Sequence, residues 1–123
     1  MFILNSNCYV YKSGSWNTGP AMVNAKYAFA MLKSPFTNKP QSLFVTGGNG
    51  LAGVMSTAET LTENGWEEFS PSLPVTITQH CMLLINSTTA MVVGGNQNSS
   101  VSANTYLISN DKKVEYDHFL QTF

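Results

Sequence analysis

Two hexapeptides constrain this chain more than any other feature: Leu43-Phe44-Val45-Thr46-Gly47-Gly48 and Ala90-Met91-Val92-Val93-Gly94-Gly95. In each, a short apolar run stops at a glycine pair, and the two pairs stand 47 positions apart. A period of that size belongs to architectures in which one supersecondary unit recurs. The remaining segments fall into register around these two.

The composition favours sheet: Val, Thr, Tyr and Phe are frequent, Gly, Asn and Ser punctuate them, and no long stretch has 3.6-residue periodicity. Cys8-Tyr9-Val10-Tyr11 reads as a strand, Ser13-Gly14 as a turn, and a second strand starts near Trp16. Tyr27 to Leu32 is a continuous apolar run, as is Cys81 to Ile85, and both are expected to be strands buried on two faces. Ser34 to Pro40 is a loop longer than a hairpin needs and reads as an insertion. Ser56 to Thr62 and Trp66 to Phe69 flank Asn64-Gly65, a two-residue hairpin signal. Val101 to Ile108 and Val114 to Phe119, joined through Asn110-Asp111, supply two last strands.

Laid side by side, Tyr9-Val10-Tyr11, Ser13-Gly14 and Trp16 match Thr60-Leu61, Asn64-Gly65 and Trp66. A third cycle places Thr105 to Ile108 where Thr60-Leu61 stands, with Val114 near the expected tryptophan. The unit is four strands: an inner apolar run, a glycine-pair strand, a mixed strand and a tryptophan strand. A unit of this kind resembles the kelch repeat. The residues that carry the resemblance are Gly47-Gly48 with Trp66, Gly94-Gly95 without a tryptophan partner, and Trp16 without a doublet before it. It covers the chain from Cys8 to about Phe119. Kelch repeats often carry an arginine before the inner strand, where this chain has Lys26 and Gln79.

The resemblance implies an all-β fold, an incomplete kelch-type β-propeller built of four-stranded antiparallel blades. Residues 1–24 would be the last two strands of a partial blade, 25–76 a complete blade, and 77–123 a second, divergent blade. Inner strands would lie between blades, and Trp16 and Trp66 would cap the apolar layer from the outermost strands. A closed propeller takes about four to eight blades. The expectation is therefore a fragment, a truncated gene product or one piece of a larger assembly, with the remaining blades missing and apolar faces exposed.

Charge and composition exclude several partner classes. The formal net charge is −1, and all six basic residues are lysines. Only Lys112-Lys113 are adjacent, so no basic face exists to neutralise phosphates and no nucleic acid is expected. Two cysteines, Cys8 and Cys81, make neither a disulfide framework nor a CxxC pair. Met1 to Asn5 is too short for a signal peptide, and no run approaches the roughly 18 apolar residues of a membrane span.

Gly48-Asn49-Gly50-Leu51-Ala52-Gly53 is a literal GxGxxG after a strand, with Glu67 and Glu68 about 20 residues on, where a ribose-binding acid would stand. The fingerprint also needs a helix, and the threonine-rich Val54 to Glu63 segment ends in a hairpin signal. A flexible blade loop fits better. His80-Cys81 is the one Cys/His neighbourhood; adjacent strand residues face opposite ways, so the expected pair is a buried thiol and a strand-end histidine. His118 has no visible partner, Glu67-Glu68 straddle a strand, and two histidines are too few for a copper site. No catalytic, cofactor-binding or metal-binding residue is assigned. Asn86-Ser87-Thr88 and Asn98-Ser99-Ser100 fit the N-glycosylation pattern and matter if the protein is secreted.

The expected function is a non-catalytic protein-interaction module acting through loops at one end of the blades. By resemblance it would be the substrate-receptor part of a ubiquitin-ligase adaptor, which is cytoplasmic. The alternatives are a segment of a secreted or oxidase-type kelch propeller, with Asn86 and Asn98 glycosylated, and nucleotide binding through Gly48 to Gly53.

Overall fold

A computed structural model describes residues 6–37, 39, 42–97, 100–109 and 114–116 of the chain. The strands, in order, are β1 (Tyr9–Lys12), β2 (Ser15–Thr18), β3 (Ala30–Lys33), β4 (Leu43–Thr46), β5 (Asn49–Gly50), β6 (Gly53–Val54), β7 (Ala58–Thr62) and β8 (Gly65–Phe69). They continue as β9 (Ile77–Thr78), β10 (Cys81–Asn86), β11 (Thr89–Val93), β12 (Asn96–Gln97), β13 (Ser100–Val101), β14 (Thr105–Ser109) and β15 (Val114–Tyr116). The fold is all-β, and every pairing is antiparallel.

Two four-stranded sheets dominate, in the orders β3-β4-β7-β8 and β10-β11-β14-β15, and the hairpin β1-β2 precedes them. The sheets repeat each other's register. Met31 opposes Val45 as Met82 opposes Val92, and Val45 opposes Glu59 as Val92 opposes Tyr106. Tyr11 opposes Trp16 as Leu61 opposes Trp66. The first strands of the two sheets, β3 and β10, are neighbours. The turn between β10 and β11 is Ser87-Thr88, whereas residues 34–42 separate β3 from β4. The extra length lies where the sequence reads as an insertion.

Between the sheets lies the core: Phe44, Ala58 and Phe69 from the first, Val92, Tyr106 and Ile108 from the second, with Leu73 and Ile77 from the connector. Phe36, Phe44 and Phe69 form a triangle with ring centroids 5.0 Å apart. Burying each such ring contributes about 2–3 kcal/mol. The connector is held by hydrogen bonds as well: the Leu73 N–H donates to the Ser56 carbonyl (2.8 Å), and the Ile77 N–H to the Met55 carbonyl (3.0 Å).

Several expectations are corrected. The apolar runs at 27–32 and 81–85 are not buried on two faces. Met31 is 53% exposed, and Leu83, Leu84 and Ile85 are about half-exposed. One face of each strand meets the core, and among the described residues nothing covers the rest. Tyr27 to Phe29 also fall outside β3, because Ala28 takes a positive φ (56°) and breaks the extended run. The hairpin expected at Asn64-Gly65 turns one residue earlier: Thr62 opposes Gly65, and of the two only Gly65 has a positive φ (107°). The strand expected from Val101 to Ile108 is two, β13 and β14, because the chain first leaves one small sheet and then joins the larger one. Asn98, Asn110-Asp111, Lys112-Lys113 and His118 lie outside the described residues.

Candidate functional site

The glycine doublets sit where β4 and β11 leave their sheets, and all four glycines have positive φ (61°, 102°, 68° and 80°). The first doublet is bound twice to the chain that follows it. Gly47 N–H donates to the Thr57 carbonyl (2.9 Å), and the Gly48 carbonyl accepts from Met55 N–H (2.8 Å). The second repeats this with Asn104 (3.2 Å) and Ser102 (2.9 Å). Side chains are also excluded sterically: a Cβ on Gly47 would stand 2.4 Å from the Ile77 carbonyl, and one on Gly95 2.7 Å from the Thr78 carbonyl. The doublets are thus needed by the backbone, with no ligand invoked.

From each doublet springs a two-residue hairpin, β5-β6 after the first and β12-β13 after the second. Each is tied to the segment before its sheet: Tyr27 exchanges two backbone bonds with Asn49, and β12 pairs with β9. The GxGxxG run therefore folds as a hairpin with its turn at Leu51-Ala52, and a strand, not a helix, follows at Ala58–Thr62. A helix N-terminus, the part that binds pyrophosphate, is missing from this segment. Both doublets rest against the same connector: the Gly48 N–H donates to the Ile77 carbonyl, and Gly95 lies against Thr78 and His80, so the two hairpins share one end. Leu51 is 86% exposed on one, and Val101 is 87% exposed on the other.

His80 and Cys81 separate as expected, but the thiol expected to be buried is not. Cys81 is exposed and His80 is buried, its Nε2 2.8 Å from Thr46 Oγ1. Burial lowers the His80 pKa to about 4, against the opposing pull of the Thr46 hydrogen bond. The ring is neutral and structural. Trp16 is 71% exposed and lies beside Tyr11 (ring centroids 5.3 Å), so among the described residues it caps no apolar layer, whereas Trp66 is half-buried. Glu67 and Glu68 are both exposed, and Asn86 ends β10, exposed, with Thr88 N–H bound to its side chain (2.9 Å).

Sequence reasoning missed one buried charge pair. Lys26 Nζ lies 2.5 Å from Glu59 Oε2 with both side chains inaccessible, and Glu59 Oε1 accepts the Val23 N–H at 2.6 Å. The sequence marks Lys26 only as standing where kelch repeats often carry an arginine. Its partner gave no signal, since Glu59 is an ordinary strand residue until the register puts it opposite buried Val45. The pair is closed to solvent and cannot reach a substrate.

A cavity of about 600 Å³ lies beside the 34–42 loop and is lined by Ser34, Phe36, Thr37, Thr62 and Phe69, with the exposed Lys39–Glu63 pair at its edge. Among the described residues no group of three His, Cys, Asp or Glu side chains converges, and no helix is long and apolar enough to cross a membrane. Comparison with known proteins adds no kinship. No family model matches the chain, and no curated protein matches it significantly.

Proposed function

We propose that this chain is a segment of a kelch-type β-propeller and a non-catalytic module that binds another protein through the loops at one end of its sheets. The repetition supports the propeller: two sheets of the same order, each closed by a doublet with the same hydrogen bonds, with their first strands adjacent. The observation that carries the binding role is the pair Leu51 and Val101. Two large apolar side chains stand almost wholly in water on equivalent hairpins, each bonded to the segment before its sheet. Loops presented by a sheet scaffold are where binding residues concentrate. On this reading the chain supplies the substrate-receiving part of a ubiquitin-ligase adaptor.

The test is site-specific photocrosslinking in cell extract. A benzophenone side chain at position 51 or 101 should yield a discrete adduct, and the same probe at 63 or 87, at the opposite end, should not. Adducts of equal yield from both ends, or from neither, would remove the assignment. A crystal structure whose sheets fail to fan about one axis would remove the propeller while leaving the crosslinking result to stand by itself.

A further inference from the structure

The hairpin β1-β2 is half of a four-stranded unit, and the structure carries enough of the repeat to say what belongs beside it. β1 stands to β2 as β7 stands to β8, since Tyr11 opposes Trp16 as Leu61 opposes Trp66. β7 has β4 on its other edge and β14 has β11, each a strand ending in Gly-Gly. Among the described residues, β1 has none. Its edge is exposed, with Tyr9, Val10 and Tyr11 all about half or more in solvent. The Gly19 N–H donates to the Cys8 carbonyl, so Cys8, Val10 and Lys12 turn their backbone groups to β2. By alternation Tyr9 and Tyr11 turn theirs outward.

A second observation lies next to that edge. An apolar cavity of about 280 Å³ separates the hairpin from the first sheet, lined by Val10, Met22, Phe29, Met31, Val45 and Trp66. Met31 and Val45 are a cross-strand pair, and their counterparts in the second sheet are Met82 and Val92. Those counterparts pack in the core with Phe44 from β4. The cavity is therefore the place where a residue like Phe44 would sit, were a strand like β4 present.

The backbone of Lys26 supplies a third. Its counterpart before the second sheet is Ile77, whose N–H donates to Met55 and whose carbonyl accepts the N–H of Gly48 (2.9 Å), the second glycine of the doublet. The Lys26 N–H and carbonyl have no partner among the described residues, although the residue is buried. Buried main-chain groups are rarely left so.

The geometry points to a strand-addition site: the β1 edge and the cavity beside it take an extended polypeptide of the chemistry of Leu43–Gly48, with a large apolar residue for the cavity and a closing Gly-Gly for Lys26. The occupant runs antiparallel to β1, exchanges backbone bonds with Tyr9 and Tyr11, and turns its aromatic side chain between Met31 and Trp66. Its doublet passes Lys26 where a side chain would collide, as at Gly47. Recognition by strand addition draws affinity from main-chain bonds and specificity from alternate side chains. The site stands on strand pairings alone and holds whether or not the sheets belong to a propeller.

The probe is a synthetic peptide of residues 42–49, added to the full chain carrying W16F so that Trp66 alone reports. Binding should blue-shift Trp66 emission and slow hydrogen exchange at the Tyr9 and Tyr11 amides. A peptide with F44A, or with both glycines replaced by alanine, should bind about tenfold more weakly. In the protein, Tyr9→Pro removes only an outward N–H and should abolish binding; Met31→Asp, which leaves β1 untouched, should do so independently. Three results overturn the proposal: no protection at Tyr9 and Tyr11 at millimolar peptide, binding indifferent to both protein variants, or protection that grows with protein concentration alone. The last would assign the edge to a second copy of the chain.

Discussion

At the entrance to the first four-stranded sheet the connector carries Lys26, buried against Glu59; at the same point before the second it carries Ile77, buried among apolar side chains. The positions correspond closely. Ala28 and Gln79 both take a positive φ (56° and 55°), and Glu59 and Tyr106 oppose Val45 and Val92 in their registers. One backbone plan therefore accepts an ion pair in one copy and, at the corresponding positions of the other, two members of the apolar core, Ile77 and Tyr106. A buried pair gains little net energy over a well-packed apolar one, provided neither charge is left alone. The scaffold is specified by its doublets and connectors, and the filling is free to vary.

Removing one charge is the harshest way to break that equivalence. Lys26→Met leaves Glu59 buried and unpaired, and should cost about 3–5 kcal/mol in urea unfolding. The double variant Lys26→Ile, Glu59→Tyr copies the second sheet's solution into the first. It should recover most of that loss, short of about 1 kcal/mol for the bond Val23 N–H now makes to Glu59. A double variant as unstable as the single one would show that the two entrances are not interchangeable.

His80 offers the next largest effect. Before the first sheet its place is held by Phe29: a Cβ on Gly48 would meet Phe29 Cβ at 3.0 Å, as one on Gly95 would meet His80 Cβ at 2.7 Å. The folded protein holds His80 near pKa 4, and the unfolded chain returns it to about 6.5. Between those values the unfolded state takes up a proton that the folded state refuses. Stability from this group is complete above pH 6.5 and falls as pH drops toward 4, by on the order of 3 kcal/mol, then levels off. His80→Phe, measured by denaturant titration across that window, should flatten the profile.

The doublets separate by a smaller margin. Alanine at Gly47 or Gly94 is forced into positive φ, costing about 1 kcal/mol at either. Only at Gly47 is the space filled, by Ile77; at Gly94 the nearest atom to an added Cβ is 3.6 Å away. Gly47→Ala should therefore cost about 2–3 kcal/mol and Gly94→Ala about 1, read from midpoints in guanidinium. Smallest of all, Leu51→Asp and Val101→Asp should leave the melting temperature within the equivalent of about 0.5 kcal/mol, because both side chains are almost wholly exposed.

Much of this architecture is legible in the order of residues. The doublets, the Ser13-Gly14 turn and the two tryptophan strands can be placed from local chemistry, because turns and positive φ select for few residue types. Asn64-Gly65 shows the limit of that rule: the pair announces a hairpin but leaves the turn's register to the strands on either side. Exposure is harder still. Leu83-Leu84-Ile85 reads as interior in any window of sequence, and only the placement of neighbouring sheets leaves it half in water.

What the sequence by itself determines is the repeat: how its four strands follow one another, and where the backbone must bend without a side chain. These are local demands, met within a few residues of the glycines that answer them. The tertiary structure alone decides which partners meet. Lys26 and Glu59 are 33 positions apart, and Thr46 and His80 34, so each pair depends on the docking of separate segments. The open edge of β1 belongs to the same class. An unpaired strand and a paired one share one sequence pattern, and only the lack of a neighbour across Tyr9 and Tyr11 among the described residues tells them apart.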